Sequence, residues 1–485
     1  MLFNSVQFLI FFVIVASVYF AIPHKLRTPY LLAASCYFYM AFVPQYILIL
    51  FFLIIIDYFA GIWIEVAKDQ RQKKIYLTLS ILSTCAVLFF FKYFNFFNSI
   101  FADIAQFFNL NYPVAQWDIL LPIGLSFHTF QSLSYVIEVY RGNQKAERHF
   151  GTYSLFVMFF PQLVAGPIER AGNLLHQFYE RHTFDYARVT GGLKLVLWGL
   201  FKKVVIADRL AVYVNAVYNN PYDYSGWPLI VATVFFAFQI YCDFSGYSDI
   251  AIGVAQVLGF RLMDNFNRPY FSKSVPEFWK RWHISLTSWF KDYLYIPLGG
   301  NRVGKPRWYL NLFIVFLLSG FWHGANWTFI VWGALNGFYL LCSIWTSPWR
   351  ARLVRRTGID RFPKLHKLVK VTITFSLICF SWIFFRANNL SEAAYISGHL
   401  FSGLSDAKTQ QVIFSGFGYG YKGLLLAVAA VLFMEYIHSI QRHKNIRNML
   451  LHKPTPVRVL TYASLVVGIL LFGKFNNQQF IYFQF

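Results

Sequence analysis

Charge is what this sequence has least of. Only 13% of its residues are Asp, Glu, Lys or Arg, about half the share of a soluble globular domain, while 57% are hydrophobic. A water-facing surface cannot be covered from that supply, so a soluble enzyme is excluded. Acidic residues are the scarcer sign, 21 against 43 Lys and Arg, leaving a net charge of +22. In a soluble chain that excess would suggest nucleic acid. Here the basic residues fall between apolar runs, which reads as a polytopic membrane protein with basic cytoplasmic loops and no nucleic-acid partner. Cysteine is sparse too. Cys36, Cys85, Cys242, Cys342 and Cys379 lie in apolar stretches with no C-x-x-C pair, so neither a disulfide framework nor a zinc ribbon is indicated and buried free thiols are expected. The sequence has no G-x-S-x-G elbow, P-loop, H-E-x-x-H or H-x-x-x-H motif. No metal site and no bound cofactor are expected. Aromatics, by contrast, make up 21% of the chain, too many large rings for a disordered one.

Crossing roughly 30 Å of hydrocarbon takes about 20 mostly apolar residues. Candidate spans fall near 6–22, 29–43, 46–66, 76–98, 152–166, 191–216, 227–260, 309–323, 326–346, 370–386, 423–440 and 458–474. The run 119–140, with Pro122 and Gly124, reads as re-entrant. The expected fold is therefore all-α, with about 11 to 13 transmembrane or re-entrant helices. One membrane domain covers 1–485, divided into N-terminal helices 1–118, a catalytic core 119–346 and C-terminal helices 347–485.

No Lys or Arg precedes the first span, and His24-Lys25-Leu26-Arg27 follows it, so it reads as an anchor entering from outside rather than a cleaved signal. Segments Lys68–Lys74, 261–307, Arg350–Lys370 and Arg442–Arg458 read as cytoplasmic, and 387–422, nearly free of Lys and Arg, as an outer loop. The stretch 141–210 has basic residues on both sides of its spans and does not resolve.

Ionisable groups inside apolar segments must be paired or functional, and three clusters stand out. In Ser319-Gly320-Phe321-Trp322-His323-Gly324-Ala325-Asn326-Trp327 a histidine closes one span just before the next. The glycines permit close approach of backbone or substrate, and a neutral imidazole there can accept and return a hydroxyl proton. A packed, hydrogen-bonded histidine is the plainer alternative. In 274–293, Ser274 and Glu277 form a capping box with Pro276 in the first turn, and Phe278, Trp282, Leu286, Trp289 and Tyr293 recur at helical spacing beside Lys280, Arg281 and Lys291. That describes an amphipathic interfacial helix anchored by tryptophan, carrying His283. In Gln239–Asp249, Asp243, Ser245 and Asp249 lie in an apolar 35-residue run, where Gly246 permits a break. The carboxylates need a Lys, Arg or His partner, either to orient a histidine or as a structural pair. Gly166-Pro167-Ile168-Glu169-Arg170 and Arg386 read as helix-end anchors.

The segments F-W-K-R-W-H-I-S-L (278–286), P-L-G-G-N-R (297–302), G-F-W-H-G-A-N-W (320–327), Q-I-Y-C-D-F-S-G-Y-S-D-I-A-I-G (239–253) and F-I-Y-F-Q-F (480–485) resemble the bacterial membrane-bound O-acyltransferases, closest to the alginate O-acetylation type. The likeness runs nearly end to end. It implies an all-helical funnel with a thin centre, the family's near-universal histidine at His323 and the branch's second histidine at His283. It implies transfer of an acyl group, in this branch usually acetyl and from acetyl-coenzyme A, out of a cytoplasmic thioester toward an extracytoplasmic polysaccharide such as alginate. It also implies a bacterial inner-membrane location, membrane lipid as surroundings, a separate SGNH-type periplasmic acetyltransferase and a polysaccharide synthase complex as partners. Asp243, Ser245, Asp249 and Asn326 are then candidate supporting polar groups, and Lys280, Arg281, Lys291 and Arg302 candidate donor-side cations. A secondary transporter or polysaccharide exporter also fits a dozen spans with buried Asp and His. It predicts two similar halves, and no internal repeat is evident.

Overall fold

The apolar run 227–260 folds as one 32-residue helix, Trp227–Leu258, continuous through Gly246. Gly246 serves close packing instead: a Cβ there would stand 2.9 Å from the Gly199 carbonyl oxygen, so the expected break is replaced by a near-contact between two helices. The computed structural model describes residues 1–119, 121–164, 166–441, 453–475 and 480–481. Most of the basic segment Arg442–Arg458 and four residues of the 480–485 motif lie outside that set. Among the described residues the regular structure is helical, without a strand.

Among the described residues seven helices are long and apolar enough to cross a membrane by length and composition: Tyr46–Val66, Gln70–Phe107, Trp227–Leu258, Trp327–Trp345, Pro363–Arg386, Tyr421–Gln441 and Thr455–Phe472. The other expected spans take different forms. Residues 6–22 give the 16-residue helix Val6–Ala21, started by the Ser5 Oγ accepting the Phe8 N–H. The run 152–166 becomes two short buried helices, Phe150–Met158 and Phe160–Leu163. Residues 119–140 yield a helix only over Leu125–Tyr140, entered through Gly124 at φ +78°, with most of its side chains buried. Apolar runs can thus be interior protein rather than lipid-facing spans, which length alone does not distinguish.

The chain forms two units. The first comprises Met1–Val196 and Ile250–Met263. Within it Glu169, fully buried, accepts the Met263 N–H at 2.6 Å and the Asn173 side-chain amide at 2.7 Å, so the Gly166–Arg170 signal anchors a neighbouring loop as well as a helix end. Asp57, also buried, accepts the Ser80 hydroxyl at 2.6 Å.

The second unit comprises Leu197–Asp249 and Asp264–Phe485, and its core is a dense cluster of large rings. Here helix Lys305–His323 lies against Trp327–Trp345. A Cβ on Gly320 would meet the Phe329 carbonyl oxygen at 2.3 Å, and one on Gly333 would meet that of Phe316 at 2.5 Å. The glycines of the 319–327 motif therefore bring two backbones together, as small residues do between membrane helices. The five cysteines are all free. Cys242 and Cys379 are buried as expected, but Cys85 is exposed on an outward helix face.

Candidate active site

His323 is the last residue of its helix, and the Gly324-Ala325-Asn326 turn leads straight into the next one. Its ring, 5% exposed as a residue, is enclosed by Trp322, Trp332 and Phe385, with centroids 4.9, 5.0 and 5.3 Å away. Asn326 caps the following helix: its Oδ1 accepts the Thr328 N–H at 3.0 Å, and its Nδ2 donates to the Asn388 carbonyl at 3.0 Å. Asn326 thus fixes the turn beside His323 and ties it to the start of segment 387–422.

His283 is held differently. The expected continuous amphipathic helix over 274–293 is broken into Val275–Trp279, Ile284–Phe290 and a π-helical turn, Lys291–Tyr295. The capping box begins the first piece, with Ser274 Oγ accepting the Glu277 N–H, while the Glu277 carboxylate takes the N–H of Lys273. At the break His283 adopts φ 42°, ψ 57°, the left-handed region, where a side chain other than glycine is strained by about 1–3 kcal/mol. The apolar face that suggested an interfacial anchor is packed inward: Phe278 and Trp282 are each 1% exposed. The His283 ring meets Phe244 edge-on at 4.5 Å. Burial pushes its pKa down to about 3, so the imidazole is neutral.

A wall of tryptophans joins the two histidines. From His323 the path runs to Trp332, then to Trp382 stacked on it at 5.8 Å, then to Trp282 at 5.1 Å, the residue before His283. Trp332 and Trp382 did not stand out in the sequence. They lie outside the two histidine motifs, and only the packing of helices Trp327–Trp345 and Pro363–Arg386 brings them between the histidines.

The buried carboxylates find lysines. Helix Tyr186–Leu200 continues through a π turn, Phe201–Ala207, into Asp208–Tyr218. A π turn admits an extra residue and shifts the register, and such turns recur at functional sites. From it Lys203 Nζ reaches Asp208 and Asp243, each at 2.7 Å, and Lys202 Nζ reaches Asp249 at 2.9 Å and Ser245 Oγ at 2.9 Å. The second Asp243 oxygen accepts the Ile481 N–H at 2.7 Å. Lys202 and Lys203 lie in the stretch whose basic residues would not resolve as loops. They are interior counter-ions, not topology signals. Phe480, next to Ile481, packs on Tyr247 at 4.4 Å and on Phe244 at 5.7 Å, so this network backs the ring that faces His283.

The remaining candidates are peripheral. Lys280, Lys291 and Arg302 are exposed, and Arg281 pairs with Glu277 at 2.6 Å. Arg386 donates to the Asn215 and Asn219 side-chain carbonyls at 2.8 and 3.0 Å, a helix-end anchor as expected. Among the described residues no three or more His, Cys, Asp or Glu side chains converge as a metal site would.

Residues 147–387, which hold both histidines and the tryptophan wall, match the model of the membrane-bound O-acyltransferase family. A Pseudomonas putida protein named "Probable alginate O-acetylase AlgI" is 37% identical across the whole of both chains. A Helicobacter pylori peptidoglycan O-acetyltransferase is 36% identical over 81% of this chain and 78% of its own. A Bacillus subtilis teichoic acid D-alanyltransferase is 26% identical over 54% of this chain and 68% of its own. With apolar helices suited to spanning and a full-length relative above a third identity, the chain belongs to the membrane-bound O-acyltransferase family and is a multi-pass O-acyltransferase.

Proposed function

We propose that this protein sits in the bacterial inner membrane and moves an acetyl group from cytoplasmic acetyl-coenzyme A toward an extracytoplasmic polysaccharide, alginate or a related polymer, using His323 as general base. The observation carrying this reading is the placement of two histidines at the ends of one aromatic wall. His283 lies in the basic segment 261–307, read as cytoplasmic, and His323 adjoins a turn bonded to segment 387–422, read as the outer loop. A donor and an acceptor on opposite sides of the hydrocarbon can then meet without either crossing it whole.

The chemistry follows from the residue types. His323 takes the proton of an acceptor hydroxyl as its oxygen attacks the thioester carbonyl. The tetrahedral intermediate collapses with cleavage of the C–S bond, and the imidazolium returns the proton to the departing thiolate. A thiolate leaves readily, so the reaction asks for no prior activation of the donor. His283 lines the donor side. Lys280, Lys291 and Arg302, exposed on the same segment, attract the anionic coenzyme. The onward partners in this reading are a separate SGNH-type acetyltransferase and the polysaccharide synthase. The names of the Pseudomonas and Helicobacter relatives favour acetyl as the group moved.

The test is His323→Ala in full-length protein reconstituted in nanodiscs, assayed for coenzyme A release from acetyl-coenzyme A with oligomannuronate as acceptor. Loss of transfer with normal insertion and folding supports the assignment. Unchanged transfer refutes it.

A further inference from the structure

Helix Ile284–Phe290 starts without a cap of its own. Its N-cap position is His283, whose side chain makes no capping hydrogen bond and whose left-handed backbone is not the extended form that capping residues adopt. The first N–H groups of a helix have no partner within it and must be satisfied from elsewhere. Asn265, 1% exposed in the non-helical stretch after Met263, supplies acceptors for the first two. Its backbone carbonyl accepts the Ile284 N–H at 2.9 Å, and its Oδ1 accepts the Ser285 N–H at 3.3 Å and the Ser285 hydroxyl at 2.7 Å. Its Nδ2 donates to Ser248 Oγ at 3.2 Å on helix Trp227–Leu258, the helix that also carries Phe244. Two residues further, the Asn267 N–H donates to the Arg281 carbonyl at 2.9 Å, so the strained Trp282-His283 step is bracketed on both sides.

We propose that Asn265 is a positioning residue for His283, acting as a helix cap supplied from another segment. It relieves His283 of capping, holds its backbone in the left-handed form and registers its ring against Phe244 through the Ser248 tether. The inference rests on the reading of His283 as part of the donor side. It predicts that removing the Asn265 side chain lowers transfer through His283.

Two measurements on full-length protein in nanodiscs test it. In the first, carbethoxylation of His283 by diethyl pyrocarbonate is followed by peptide mass spectrometry, a readout that needs no turnover. Asn265→Ala is expected to raise the rate about fivefold, and an unchanged rate overturns the inference. The second is a double-mutant cycle in the acetyl-coenzyme A assay. Asn265→Ala is expected to lower kcat about tenfold with KM for acetyl-coenzyme A nearly unchanged, and to cost almost nothing further in a His283→Gln background. Equal losses in both backgrounds overturn it. Full activity of His283→Gln alone would instead remove the donor-side reading of His283, a failure that the first measurement keeps separate. If Asn265→Ala does not fold, Ser285→Ala removes only the hydroxyl bond to Oδ1. It is expected to raise carbethoxylation about twofold, and no change in that rate again overturns the inference.

Discussion

His323 and His283 are both buried imidazoles beside tryptophan, yet they are held by opposite means. His323 ends a regular helix, and its place is set by packing: three aromatic rings around it and glycines that press two helices together. His283 sits in strained backbone between two short helices, followed by Ile284 and Ser285, which donate hydrogen bonds to Asn265, and is backed by the Phe244 ring. A packed residue tolerates loss of any one neighbour by relaxation of the rest. A bonded one loses its geometry when a single donor or acceptor goes. The difference suits the roles proposed for them, a base that meets a variable acceptor and a second histidine that meets a fixed donor.

The largest test of that contrast is the proposed base. His323→Ala should lower acetyl transfer about 10²- to 10⁴-fold, the range for losing a positioned acid-base group. His283→Ala should cost less in the same nanodisc assay, and an equal or greater loss would reverse the proposed roles. Next comes the charge network behind Phe244. Lys203→Met leaves Asp208 and Asp243 facing one another in the interior without their shared cation, and should cost about 3–5 kcal/mol of stability by thermal unfolding in detergent. On the packed side, Gly320→Ala places a Cβ 2.3 Å from the Phe329 carbonyl oxygen, so the helix pair must part at a cost of about 1–3 kcal/mol. Gly304→Ala, in open space at φ −55°, should be close to neutral and is the control. Smallest is the combined Lys280→Ala, Lys291→Ala and Arg302→Ala variant. Its KM for acetyl-coenzyme A should rise about two- to threefold at low salt and the difference should fade as ionic strength screens the exposed charges.

The same contrast explains what could be read in the sequence. The turn at His323 was legible because it is local: one helix ends and the next begins within nine residues, while Asn326, read as a candidate supporting polar group, is found capping the second helix. That Asp243 and Asp249 need counter-ions follows from their apolar surroundings. Which cations serve them does not, because Lys202 and Lys203 look like loop charges until a π turn carries both into the interior. The break at His283 was hidden for a related reason. Phe278, Trp282 and Leu286 keep helical spacing across a backbone that is not helical between them, because all three side chains are buried. Asn265 carried no local signal, since its partners lie 17 to 20 residues away.

The bond from Ile481 to Asp243 spans 238 residues, which sets an order of events during synthesis. Lys202, Lys203 and Asp208 are made before Asp243 and Asp249, so the carboxylates enter the membrane with their cations already waiting. The Ile481 amide arrives roughly 10–50 s later at ordinary rates of elongation. The support behind Phe244, and through it the setting of His283, is therefore finished well after the lysines and carboxylates it joins. A ribosome that stops after helix Thr455–Phe472 leaves a chain that holds these lysines and carboxylates but lacks that bond.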